Sequence, residues 1–155
     1  EDVAGEGIVL FDGVCNVCNT FVHFLVDRDP TAKLLFASQQ SPTGEDFMKE
    51  KGIETNLETM AFVTKDKVYY HSTAVIRSIA MLGGIWKLLL VFLIIPAFFR
   101  DFCYSVFANN RYRVFGKKDE SCRRLTKDLK RRFLQYNPKA REIFDENARK
   151  AAKKE

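Results

Sequence analysis

The sequence predicts an α/β fold: a mixed four-stranded sheet with flanking helices, followed by a C-terminal helical extension. Two observations carry that expectation. Up to residue 84, short apolar runs alternate with stretches of helical periodicity in the order β-α-β-α-β-β-α. The composition, 46% hydrophobic and 29% charged over 155 residues, suits one folded domain with a modest extension. Eight Gly and four Pro are too few for low-complexity sequence, and four Cys are too sparse for a disulfide-stapled miniprotein.

The elements follow in order. Ile8-Val9-Leu10-Phe11, closed by Asp12-Gly13, suits a buried strand. Asn16 to Arg28 contains neither Gly nor Pro and sets Val17, Phe21, Phe24 and Leu25 at helical spacing. Val22 and Val26 add a second apolar face, and Asp29-Pro30 ends the helix. Lys33 to Ala37 reads as a second buried strand. Ser41-Pro42 supplies a capping hydroxyl and a proline at the first helical position, opening a helix that stops at Gly52. Met60 to Thr64 and Val68 to Tyr70 flank the polar turn Lys65-Asp66-Lys67. Ser72 is expected to cap a third helix bearing Val75, Ile76, Ile79 and Leu82, closed by Gly83-Gly84. A β-α-β half followed by a β-β-α half is the layout of the thioredoxin-like fold, with its core at residues 7–84.

Residues 85–122 are expected as a helical extension packed on that core. From Ile79 to Phe99 only Lys87 is charged, which raises the question of a membrane span. The uninterrupted part, Leu88 to Phe99, makes roughly 18 Å of helix against a hydrocarbon core of about 30 Å. Two helices hinged at Pro96 are the preferred reading, with peripheral membrane contact through 85–99 as the alternative. The net charge of +5 is uneven. Residues 1–110 hold 9 Lys/Arg against 13 Asp/Glu, and residues 111–155 hold 16 against 7. Residues 123–155 therefore form a basic tail, amphipathic through Leu125, Leu129 and Phe133. It could pack on the body, meet an acidic partner or lie on an anionic membrane. No nucleic-acid motif accompanies the charge, and no nucleic acid is expected. The opening residues carry no basic leader or apolar signal core, which favours a cytoplasmic or organellar setting over a secreted one.

The most informative stretch is Asp12-Gly13-Val14-Cys15-Asn16-Val17-Cys18. Two cysteines three apart at the start of a helix share a face, near enough to bridge. Unpaired N–H groups and the partial positive charge of a helix N-terminus favour thiolate at Cys15. Cys18, one turn deeper, is expected to be the more shielded and to resolve the mixed disulfide that Cys15 forms. Gly13 is read as permitting a tight turn with no Cβ to crowd an incoming disulfide. Asp12 either opposes thiolate at Cys15, accepts a proton from Cys18, or holds loop N–H groups. The alternative to redox chemistry is zinc, which needs four ligands. Cys103 and Cys122 are 19 apart and make no second knuckle, and His23 and His71 lack paired spacing.

The chain resembles the DCC family of thiol-disulfide oxidoreductases, named for Asp-x-x-Cys-x-x-Cys, here Asp12, Cys15 and Cys18. The likeness continues in Ser72-Thr73-Ala74, Leu82-Gly83-Gly84, Pro96 and Asn110-Arg111-Tyr112-Arg113-Val114-Phe115-Gly116, followed by Cys122. It implies a thioredoxin-like oxidoreductase that exchanges disulfides with protein or small thiol substrates, draws on an unidentified electron donor and needs no cofactor. The wider thioredoxin class usually carries a cis-proline facing the CxxC pair, where this chain has Thr59. That threonine is a candidate substrate-binding residue through its backbone, and the missing proline leaves metal binding more open. The competing reading is a zinc-holding or interaction module on the same fold.

The remaining candidates have plainer accounts. Cys103 is expected as a small buried hydrophobe, with a second disulfide or an electron relay between Cys103 and Cys122 as the alternative. His23 reads as a packing or surface histidine. Arg111 and Arg113 read as partners for the acidic surplus of the body.

Overall fold

The computed structural model of the protein describes residues 3–54, 59–116 and 127–153. Four strands, β1 (Gly7–Phe11), β2 (Leu34–Ser38), β3 (Ala61–Val63) and β4 (Val68–Tyr70), form one sheet in the order β2-β1-β3-β4. β1 runs parallel to β2, with Val9 opposite Phe36, and antiparallel to β3, with Val9 opposite Phe62. β3 and β4 form the expected hairpin, closed by the Thr64 N–H donating to the Lys67 carbonyl. The fold is α/β and thioredoxin-like, a mixed sheet with helices on both faces.

Strand alternation divides the core. Ile8 and Leu10 of β1, with Leu35 and Ala37 of β2, face Phe47 and Met48 of α2 (Pro42–Lys51) and Ala140 and Phe144 of α6 (Pro138–Ala152). Val9 and Phe11, with Leu34 and Phe36, face Val22, Leu25 and Val26 of α1 (Asn16–Arg28) and Ala74 of α3 (His71–Ala80). Ser41 caps α2 as expected, accepting the Gly44 N–H, and Gly52 ends it in the left-handed conformation.

The basic tail docks on the body, and it is two helices rather than one. α5 (Lys127–Arg132) leads into Phe133, which lies beside Phe36 on the open edge of β2, and the Leu134 N–H donates to the Phe36 carbonyl. Arg132 is buried and reaches Asp29, with Nη1 3.0 Å from Oδ2 and Nη2 2.7 Å from the carbonyl oxygen. The same Asp29 oxygen accepts the Leu34 N–H, so one ion pair ties the α1–β2 loop, the strand and the tail. Leu125 and Cys122 lie outside the described residues, so the expectations for them, including a Cys103–Cys122 pairing, carry no structural account.

One expectation for the middle of the chain is corrected. Ser72 does not cap α3: it lies inside the helix, and His71 opens it with a positive φ of 53°. The Ser72 hydroxyl instead donates to Asp101 Oδ1 at 2.6 Å and accepts from Arg100 Nη1, which also bonds Thr73 Oγ1. Ser72-Thr73 is thus the seat on which the next helix, α4 (Ala97–Phe115), is fastened. Gly84–Ile94 is a 3-10 helix, and none of its residues is buried. It is held through Trp86, whose ring meets Phe24 edge-on at 5.4 Å. The break before Pro96 turns the chain by 109° into α4.

Candidate functional site: a thiol pair clasped by an arginine

β1 delivers Asp12 and Gly13 at the C-terminal edge of the sheet, and α1 starts at once. Cys15 is the N-cap residue of α1, extended at φ −81° and ψ 123°. From there its side chain turns back over the first turn, and its Sγ accepts the Cys18 N–H at 3.4 Å. A sulfur thus fills the place a capping oxygen usually takes. The exposure of the two reverses the expectation. Cys15 is 0% exposed and Cys18 is half-buried.

Electrostatics divides the two thiols as expected. The Cys18 thiol donates to Cys15, which is the largest influence lowering the Cys15 pKa from 9.0 to about 6; burial opposes this, and the Cys18 N–H and Arg111 reinforce it. The proton retained on Cys18 serves the same bond, so the Cys18 pKa is pushed up, and burial adds to the rise. One proton is shared, with the charge on Cys15.

Asp12 is buried. Its Oδ2 accepts Arg111 Nη2 at 3.0 Å, and both side chains are only 3% exposed. Its Oδ1 accepts the Val14 N–H at 3.0 Å and the Gln40 amide. Of the readings the sequence left open, Asp12 holds a loop N–H; its negative charge works against thiolate at both cysteines. Arg111 offsets that charge. Burial works against its own ionisation, but the Asp12 hydrogen bond and both sulfurs outweigh burial and hold the guanidinium charged.

Gly13 has a structural role the sequence did not show. A Cβ there would stand 2.6 Å from Ser38 Oγ, so the glycine makes room for the end of β2. The Gly13 N–H donates to Gln40 Oε1, and Asn19 Nδ2 bonds the Gly13 and Cys15 carbonyls, pinning the loop from both sides. Thr59 stands across from the loop. Its carbonyl accepts the buried Gln39 amide at 2.7 Å, and the next N–H, of Met60, donates to the Tyr104 hydroxyl. The backbone there is engaged within the protein. Tyr104 has its pKa raised, by burial first and then by the cysteine charges.

Arg111, Tyr104, Gln39 and Gln40 were not read as site residues from the sequence. Arg111 lay in the quoted Asn110–Gly116 segment, yet it is 99 positions from Asp12. Cys103, expected as buried, is exposed on α4. His23 is half-buried on α1. Among the described residues, no group of three or more His, Cys, Asp or Glu side chains is placed to hold a metal ion.

The site is thus a Cys-x-x-Cys pair at the start of the helix after β1 of a thioredoxin-like sheet, with Cys15 as the cap. The chain matches the model of the DCC1-like thiol-disulfide oxidoreductase family over residues 9–117, and it belongs to that family. It is 42% identical over 128 residues to the uncharacterised protein YuxK of Bacillus subtilis, covering 82% of this chain and 93% of that one. It is 38% identical over 117 residues to a DCC family protein of Arabidopsis thaliana described as chloroplastic, covering 74% and 67%. No solved structure matches the chain.

Proposed function

We propose that the protein exchanges disulfides through Cys15 as nucleophile and Cys18 as resolving thiol, with protein or small-molecule disulfides as substrates. The observation that supports this best is the asymmetric pair: one sulfur caps a helix as thiolate, and its neighbour holds the proton. The Cys15 thiolate attacks one sulfur of a substrate disulfide, forming a mixed disulfide and releasing a substrate thiolate. Cys18 then gives up its proton and attacks Cys15 Sγ, releasing the second substrate thiol and leaving the Cys15–Cys18 disulfide. The substrate gains two electrons, and a donor dithiol, itself oxidised to a disulfide, returns two electrons and two protons to restore the pair.

Because Cys15 is fully covered, exchange follows a local opening. Three contacts hold α4 over the site: Arg111 to Asp12, Asn16 Nδ2 to the Phe115 carbonyl at 2.7 Å, and Tyr104 to the Met60 N–H. The opening unit is therefore α4 against the loop at residues 12–16.

The test is disulfide reduction with dithiothreitol as electron donor, on the wild type, Cys15→Ser and Cys18→Ser, alongside thiol titration with and without a strong chelator. Turnover lost in both variants supports the reading. Stoichiometric zinc on a wild type without turnover overturns it in favour of a metal-holding module.

A further inference from the structure

The largest feature that the redox reading leaves unused is the elbow made by the 3-10 helix and α4. Ile85, Leu88, Val91, Phe92, Ile94, Phe98, Phe99 and Phe102 are all exposed. Eight large apolar side chains left exposed on adjoining elements are more than a monomer ordinarily shows. Among the described residues no single helix is long and apolar enough to cross a membrane, and the pair that passes by length and composition is bent by 109°.

We propose that this elbow is a wedge that seats the protein on a membrane surface bearing anionic headgroups, entering by its bend without crossing. Three observations point to lipid as the occupant. Exposure peaks on either side of the bend, 82% at Ile94 and 79% at Phe98, and stays high on both arms, 66% at Leu88 and at Phe102. Charge supports this as well: the two charged residues of the elbow up to residue 100, Lys87 and Arg100, are both basic, the sign that suits anionic lipid, and the Asp101 that follows accepts the Ser72 hydroxyl. The wedge is also built rather than loose. Arg100 Nε bonds the Ile95 carbonyl at 3.0 Å while its Nη1 bonds Ser72 and Thr73, so the elbow is fastened to α3 before any lipid arrives.

The inference stands apart from the redox reading, and its test does not use turnover. The reduced full chain is sedimented with vesicles of phosphatidylcholine alone and of phosphatidylcholine with phosphatidylglycerol. Emission of Trp86, the chain's one tryptophan, is followed in parallel, since it lies within the wedge. The wild type is expected to bind the anionic vesicles, with a blue shift and partial weakening by salt. Ile94→Asp with Phe98→Asp should lower that partitioning more than tenfold, and Leu88→Asp with Phe102→Asp should do the same from both arms. All four residues are exposed, and an unchanged helical spectrum with an unchanged Cys15 titration confirms the fold of each variant. Any of three results overturns the proposal: a wild type that ignores both vesicle types, variants that bind as the wild type does, or a dimer that these substitutions break while no vesicle binds. Binding that salt abolishes completely and the substitutions leave intact would assign the contact to the basic tail instead.

Discussion

Replacing Cys18 by alanine and by serine separates the two things that residue does. Lowering the Cys15 pKa from 9.0 to about 6 is three pH units, or about 4 kcal/mol in favour of the thiolate. The largest single contribution is the hydrogen bond from the Cys18 side chain; the Cys18 N–H stays whatever the side chain. A hydrogen bond to a charged group contributes about 1.5–3 kcal/mol, which is about 1–2 pH units at 1.36 kcal/mol each. Cys18→Ala, which removes the donor, should move the Cys15 midpoint up by that amount. Cys18→Ser keeps a hydroxyl donor and should stay within about half a unit of the wild type. Both variants lose the resolving thiol and hence turnover, so activity does not distinguish them. The assay is the pH dependence of Cys15 alkylation, with the modified peptide identified by mass spectrometry so that Cys103 and Cys122 do not contribute. Equal midpoints in the two variants would refute the view that the Cys18 side chain sets the acidity of Cys15. An alanine variant that keeps a midpoint near 6 would refute it too.

Other predictions follow from the same geometry. Arg111→Met leaves Asp12 buried without its cation, so stability should fall by about 3–5 kcal/mol in chemical denaturation while the Cys15 midpoint rises; adding Asp12→Asn should recover most of the stability. In the reduced protein Cys15 titrates below, and Cys18 above, their unfolded value of 9.0. The native pair thus binds one proton fewer than the unfolded chain between about pH 6 and 9 and one more beyond it. Stability of the reduced form should rise through that window by up to about 1.4 kcal/mol per unit and fall above it. The reduction potential should change by about 59 mV per pH unit below about 6 and by about 30 mV above, and a slope with no break near 6 counts against a Cys15 thiolate. Gly13→Ala should cost about 1–3 kcal/mol from the contact with Ser38 Oγ, and Ser38→Ala should relieve most of that cost in the double variant.

Elements set by local signals were legible in the sequence. α1 runs from Asn16 to Arg28 as its unbroken periodicity requires, and Ser41-Pro42 opens α2 with the expected cap. The Asp12–Cys18 loop could be placed at a helix start because apolar strand, glycine and helical spacing meet there. What failed was whatever depends on contacts distant in sequence. Ser72 has the residue type of a cap, but the side chains it serves, Asp101 and Arg100, lie 29 and 28 positions away. Arg111 was read as pairing with the acidic surplus of the body, and it does, but nothing near it in sequence announces Asp12 as the partner, and nothing near Arg132 announces Asp29. The relative burial of Cys15 and Cys18 was misjudged, because depth along a helix does not by itself set burial. The apolar stretch after Gly84 was legible as apolar, but hydrophobicity alone does not say which side of the protein boundary a residue faces.

The thiol cover and the wedge share one helix, and that has a thermodynamic consequence. α4 presents Phe98 and Phe102 near its start and carries Tyr104 and Arg111 further along, so the proposed wedge and the cover over Cys15 lie on one helix. If lipid prefers the position of α4 that uncovers Cys15, vesicles must raise the fraction open, and they can do so only by their difference in affinity for the two positions. Linkage then makes the effect mutual: the factor by which vesicles raise the open population is the factor by which trapping the open state tightens vesicle binding. The measurement is the rate of Cys15 alkylation at a pH well above its midpoint, where acidity no longer limits it, with and without anionic vesicles. A faster rate with vesicles, matched by tighter vesicle binding of protein alkylated at Cys15, would show the two ends of α4 acting together. An unchanged rate with vesicles bound would show that the wedge only locates the protein, and that Arg111 releases Asp12 for the substrate alone.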